Sequence, residues 1–320
     1  MHRYVLFVAL VFFASLVLST TTSAQPQTPE AAVNLFKNAL KKSGNGDLDG
    51  AIEDYTRAIV LSSRLDGNRS NNNRPANSFT AEGATENITV VDPFTANAYS
   101  NRGLARYQKG DLEGAIADLN QAIRMRPTLA IAYLNRAAVQ RAGGDSAAAM
   151  KDLDRAVALQ KDFFEAFSNR GSLRHDMGDA QGALADLNRA IELNDRVAET
   201  FYQRGYVYLG LKEFDTAIVD FERAIKLDPK MAWAYQGRGT AWMYKGYMAN
   251  AIENFDQAIA HDPAIAWAYF NRAVSKVYLG QEAQAEPDIV ECLRLRPDLK
   301  QQLDRRIELA RDLRRLGKQN

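Results

Sequence analysis

One cysteine, Cys292, stands in a chain of 320 residues, so no internal disulfide can staple the fold. Charge of one sign is missing as well. Forty Lys and Arg against 39 Asp and Glu leave a formal net charge of +1, which gives no general attraction to nucleic acid or to an anionic lipid surface. Histidine is scarce, at three residues. His2 falls in the leading segment, and His261 lies near the end of a helical stretch. His175-Asp176, even taken with Arg141 and Arg174, is a small polar group that solvation of a helix face explains. No Gly-rich loop follows a strand pattern, no paired cysteines have metal spacing, and no basic run is interleaved with aromatics. These absences argue against catalysis, a cofactor, a metal site and nucleic acid as a partner.

Long apolar runs are absent except at the start. Met1-His2-Arg3 is basic, Tyr4 to Leu18 is apolar or small, and small residues lead to Ala24 before Gln25. This is the layout of a signal peptide, residues 1–24. Fifteen helical residues reach about 22 Å, short of a hydrocarbon core of about 30 Å. The expectation is therefore an exported chain, periplasmic or secreted, that meets a membrane only if residues 4–18 remain as an uncleaved anchor.

The rest repeats. "AYSNRGLARYQKGDLEGAIADLNQAIRMRP" begins at Ala98, and "AYQGRGTAWMYKGYMANAIENFDQAIAHDP" begins at Ala234 in the same phase. Aromatics at Tyr99, Tyr133, Phe167, Phe201, Tyr235 and Tyr269 recur every 34 residues, as do the arginines at 102, 136, 170, 204, 238 and 272. Ala115, Ala149, Ala183, Ala217, Ala251 and Ala285 form a third column, and Pro127, Pro229, Pro263 and Pro297 close four units. This period, with its small, aromatic and Pro columns, resembles the tetratricopeptide repeat, a helix-turn-helix unit. The resemblance implies an all-α solenoid wound as a right-handed superhelix. Six units fit, at 96–129, 130–163, 164–197, 198–231, 232–265 and 266–299.

Each column has a physical task. Gly110-Asp111 reads as a helix stop followed by an N-cap. Gly103, Gly171, Gly205 and Gly239 sit within the first helix, where each costs about 1 kcal/mol relative to Ala, so close approach of the paired helix must offset the loss. Ala115, Leu119 and Ala122 form the apolar stripe of the second helix, and Cys292 occupies the Ala122 column as a small buried side chain. A divergent first unit spans 25–62, with Gly46-Asp47, Ala51, Tyr55 and Ala58 in register and Leu35 in place of the aromatic. Residues 63–95 read as an Asn-rich mobile insertion, with glycosylation patterns at Asn68 and Asn87. After Pro297, Leu299, Leu303, Ile307, Ala310 and Leu313 make one stripe on a charged helix, which suits a C-terminal cap and tail over 300–320.

Two columns bear on function. The arginines are matched in the second helix by Asp118, Asp152, Asp186, Asp220 and Asp288, with Asn254 the exception, which reads as a ladder of interhelical ion pairs. Asn101, Asn135, Asn169, Gln203 and Asn271 form an amide column broken at Gly237. It is similar to the Asn ladder of O-GlcNAc transferases, which holds peptide backbone; exposed neutral amides suit solvation equally and would contribute little to folding. The family resemblance assigns these first helices to a concave groove. Its C-terminal half collects Tyr202, Tyr206, Trp233, Trp267 and Phe270, whereas the N-terminal half offers Ser100, Ser168, Ser172 and His175. The two tryptophans read either as packing between units or as a platform. The implied function is non-catalytic binding of a protein or extended peptide. The alternative is a periplasmic or extracellular factor that handles glycan or polysaccharide, with Trp233 and Trp267 stacked on sugar rings.

Overall fold

The computed structural model describes residues 29–71 and 93–317. The expected signal peptide over 1–24 and the stretch 72–92, which holds Asn87 and most of the expected mobile insertion, lie outside the described residues. Among the described residues there are fifteen α-helices and one short 3-10 turn, with no strand. Two compact units divide the chain within its seventh helix.

In the first unit α1 (Pro29–Gly44) packs on α2 (Leu48–Asn71), α3 (Pro93–Gln108) on α4 (Leu112–Met125), and α5 (Ala130–Ala142) on α6 (Ser146–Leu159), followed by the start of α7 (Phe164–Asp176). The insertion is shorter than the sequence suggests. No proline interrupts residues 63–71, so α2 runs on to Asn71, and α3 begins at Pro93, whose fixed φ suits a first helical position. A buried hydrogen bond of 2.7 Å between the Ser62 and Thr95 hydroxyls ties the two helices together.

In the second unit the remainder of α7 meets α8 (Ala180–Leu193). α9 (Ala198–Gly210) packs on α10 (Phe214–Leu227), α11 (Ala232–Tyr244) on α12 (Met248–His261), and α13 (Ala266–Tyr278) on α14 (Glu282–Leu295). A 3-10 turn at Pro297–Leu299 leads into α15 (Lys300–Gly317).

Alanine decides how closely each pair packs. The Ala115 and Ala122 columns are fully buried in every second helix, and Cys292 takes the last place in the second column. Burial pushes its thiol up to about 11. Mid-helix glycine is explained by the same closeness, since a Cβ on Gly103 would lie 2.9 Å from Leu119 and 3.1 Å from the Ala115 carbonyl. Asp47, Asp111, Asp145 and Asp179 each accept a hydrogen bond at 2.8–2.9 Å from the backbone N–H three residues on, as N-caps do. Before each cap the chain turns through a left-handed residue, glycine at 46, 110, 144, 178, 246 and 280. Lys212 fills that place once, at φ 64°.

The arginine column makes the expected pairs. Arg102, Arg136, Arg170 and Arg204 meet the aspartate sixteen residues on at 2.6–2.7 Å, Arg272 meets Asp288, and Arg238 donates to Asn254 Oδ1 at 2.7 Å. A second arm reaches back to the second helix of the preceding unit, sixteen residues away except for Arg102, whose partner across the insertion is 46 residues back. Arg102 donates to Thr56 Oγ1, Arg136 to Asn120 Oδ1, Arg204 to Asn188 Oδ1 and Arg272 to Asp256, at 2.6–2.9 Å. The aromatic three residues earlier lies under the guanidinium, with Tyr99 5.2 Å from Arg102 and Tyr133 5.6 Å from Arg136.

α15 closes the second unit. Leu299, Leu303, Ile307 and Ala310 are buried against α13 and α14, but Leu313 is exposed, contrary to its place in the expected stripe. At that turn Arg311 and Arg314 swing onto Glu282 at 3.0 and 3.1 Å, so polar pairing replaces apolar burial.

Two outcomes test this construction. Arg136→Leu leaves Asp152 buried without its cation and should lower stability by about 3–5 kcal/mol, while adding Asp152→Leu should recover most of the loss. Urea melts of the double-mutant cycle measure the coupling, and additive losses would refute the pairing. Lys212→Gly relieves a left-handed side chain and should raise stability by about 1 kcal/mol, read from the same melts.

Candidate functional site

Helical geometry decides which side of each first helix is free of its partner. Arg102 and Gly103 face the paired second helix. At about 100° per residue, positions 97, 100 and 104 point to the opposite side. In the second unit these columns hold Glu199, Tyr202 and Tyr206 on α9, Trp233, Gln236 and Thr240 on α11, and Trp267, Phe270 and Val274 on α13.

The amide column flanks this face and turns toward the neighbouring helix, where most of it is consumed. Asn135 is buried and donates from Nδ2 to Ser100 Oγ at 3.2 Å, joining α5 to α3. Asn271 is buried too, and its Nδ2 donates to Thr240 Oγ1 at 3.2 Å, joining α13 to α11. Asn101 is half-buried and hydrogen-bonds the Tyr55 hydroxyl of α2, whose phenol burial pushes well above its ordinary range. Gln203 Nε2 donates to Glu199 Oε1 at 3.3 Å. Asn169 is buried, and its Nδ2 has no hydrogen-bond partner among the described residues. The column is therefore not the exposed row expected from sequence, and its members contribute to the fold.

The break at Gly237 has a steric cause. Phe221 stands where α4, α6 and α8 carry leucine, and a Cβ on Gly237 would lie 2.6 Å from its ring. Gly205 meets the same ring at 3.0 Å. An asparagine at 237 would collide with the core.

The aromatics are shared between packing and surface. Tyr202 lies 5.6 Å from Tyr206 and 6.1 Å from Phe221, and Tyr206 is edge-on to His175 at 6.5 Å. Trp233 and Trp267 are partly buried against Ala232, Ala258, Ile265 and Ala268. Phe270 is buried outright, 5.0 Å from Trp267. The tryptophans thus pack between repeats with one side, which is the first of the two readings open from the sequence. In the other half, Ser100, Ser168 and Ser172 are buried and present no open polar surface.

Glu199 was not marked by the sequence reasoning. It is 8% exposed, and burial pushes its carboxyl up to about 7, partly opposed by the Gln203 hydrogen bond. Its column, Asn97, Ile131, Glu165, Glu199, Trp233 and Trp267, changes from acid to indole at this point, and that change was the available signal. Gln236, also buried, donates from Nε2 to Thr240 Oγ1 at 3.1 Å, while its Oε1 has no partner among the described residues.

The tetratricopeptide repeat family pattern matches residues 164–196 and 198–231, and a TPR repeat pattern matches residues 103–141. A tetratricopeptide repeat protein from Parabacteroides merdae ATCC 43184 is similar in structure over 88% of this chain and 99% of its own, at 17% identity and a TM-score of 0.58. PilW, described as a widely conserved type IV pilus biogenesis factor, is similar over 63% of this chain and 94% of its own, at 16% identity and a TM-score of 0.59. At these identities the likeness is one of fold. MamA is 30% identical over 50% of this chain and 94% of MamA, with a TM-score of 0.46. No curated protein matches the chain.

Glu199 gives a pH-dependent stability. Its folded pKa of about 7 lies above the ordinary 4.5, so the folded state holds the proton more tightly than the unfolded one. Stability is unaffected below pH 4.5, falls as pH rises toward 7, and stays lowered above that. Glu199→Gln should match the wild type at pH 4 and exceed it by up to about 3 kcal/mol at pH 8, measured by denaturant melts at both pH values. A constant difference would show that the carboxyl is not desolvated.

Proposed function

The chain belongs to the tetratricopeptide repeat proteins, and from that premise we propose that it is a non-catalytic scaffold whose first helices hold an extended peptide segment of a protein partner. The carrying observation is a buried side-chain amide atom of the second unit, the Gln236 Oε1 acceptor, which has no partner among the described residues. It lies on the first-helix side that faces away from the paired helix. A buried amide left unpaired costs about 1–3 kcal/mol, and an extended peptide carries the N–H that would relieve it. Tyr202, Tyr206 and the half-buried tryptophans supply apolar contact beside Gln236 in register. Phe270 is buried and Trp233 and Trp267 each pack one side against the core, so the aromatics of this face are tied into the stack rather than laid out as an open platform. We place this binding outside the cytoplasm, on the support of the Met1–Ala24 layout.

Selection from a phage-displayed library of random twelve-residue peptides tests the reading. Peptides enriched on the wild type should bind, by fluorescence anisotropy, about 2- to 10-fold more weakly to Gln236→Ala and at least about 30-fold more weakly to Trp267→Ala. Circular dichroism checks that each variant keeps its helicity. No enrichment above background, with retention on a polysaccharide column instead, would overturn the peptide reading in favour of the glycan one.

A further inference from the structure

Buried carboxylates in this fold follow a rule. Asp54 pairs with Lys42, and Asp118, Asp152, Asp186, Asp220 and Asp288 pair with the arginines sixteen residues before them, at distances of 2.7 Å or less. Glu199, equally buried, breaks it. Among the described residues its one side-chain hydrogen-bond partner is the neutral Gln203, and no Lys, Arg or His lies within ion-pair distance. A carboxylate taken out of water without a counter-charge is strongly penalised, and such groups collect where a ligand supplies what the fold withholds.

Its position identifies the ligand's chemistry. Glu199 stands in the first turn of α9, on the side opposite the paired helix, and α9 packs against α11. One repeat later the same column carries Trp233, and two repeats later Trp267. On α11 the unpaired atom of Gln236 is an oxygen, so the unmet demand on this face is for donors at both places. Carboxylate, amide oxygen and indole faces together suit a cation that carries several N–H groups.

We infer that Glu199 is the specificity residue of the second unit, receiving the guanidinium or ammonium of a basic side chain in the bound peptide. This rests on the peptide reading above and adds the class of side chain that is selected. The raised affinity of Glu199 for a proton is the same demand met by solvent when no peptide is present. Arriving cation and departing proton exchange on one carboxyl.

The twelve-residue library, panned on the wild type and on Glu199→Gln, provides the test. Wild-type selections should be enriched in Arg or Lys at one fixed position, and the enrichment should vanish with Glu199→Gln. For one selected peptide, replacing that arginine by citrulline should weaken binding to the wild type by at least about 30-fold and to Glu199→Gln by about 3-fold or less. If Glu199→Gln does not fold, the citrulline substitution on the wild type still decides, since an unchanged affinity overturns the proposal. Peptides that bind without a basic residue, or that lose nothing on Glu199→Gln, overturn the inference and leave the peptide reading standing. Failure to select any peptide overturns both.

Discussion

One guanidinium per repeat, bonded sixteen residues forward and, in Arg102, Arg136, Arg204 and Arg272, also back to the preceding second helix, sets the register on which the packing depends. The forward arm fixes a first helix to its own second helix, and the rearward arm fixes it to the second helix before. Replacing such a buried pair by well-packed apolar residues is often energetically neutral, so its value lies less in net stability than in allowing one alignment only. A slip by one helical position would strand both charges. The aromatic beneath each guanidinium adds a flat face that holds the side chain in the plane its two acceptors require.

With the register fixed, the size of one core side chain governs the opposite side of the first helices. The second helices α4, α6 and α8 carry leucine at the central position, whereas α10 and α12 carry Phe221 and Phe255. The larger rings need the absent side chains of Gly205, Gly237 and Gly239. The loss of the amide at 237 is thus a packing consequence. The same stretch gains Tyr202, Tyr206, Trp233 and Trp267, so a change in the core and a change in surface chemistry occur together.

The helix pairs, their turns and the forward arginine pairs were legible because each depends on contacts at fixed sequence spacing. The rearward arm was legible in principle, as Thr56, Asn120, Asn188 and Asp256 are all acceptors in one column, but its partners belong to another repeat and no local rule points to them. The amide column shows the limit more sharply. Asn135 and Asn271 read as exposed because periodicity reports the helix face and not what the next helix places over it. Glu199 escaped for a related reason: a glutamate in a first helical turn is ordinary, and only the burial imposed by neighbouring helices makes it exceptional. Leu313 erred in the other direction, since the apolar period continues past the point where the surface it covered has ended.

Cys292 completes an alanine column, where the fold asks for a small side chain and nothing more. The nucleophilic form of a thiol is the thiolate, and with the thiol held near 11 almost none exists at neutral pH while α14 is in place. Alkylation at this atom therefore requires the last helix pair to separate from α15. In a linear array such fraying begins at the ends, and opening there involves less of the structure than global unfolding. The lone cysteine is in effect a clock at the C-terminal edge: its rate of labelling counts how often the end of the stack opens.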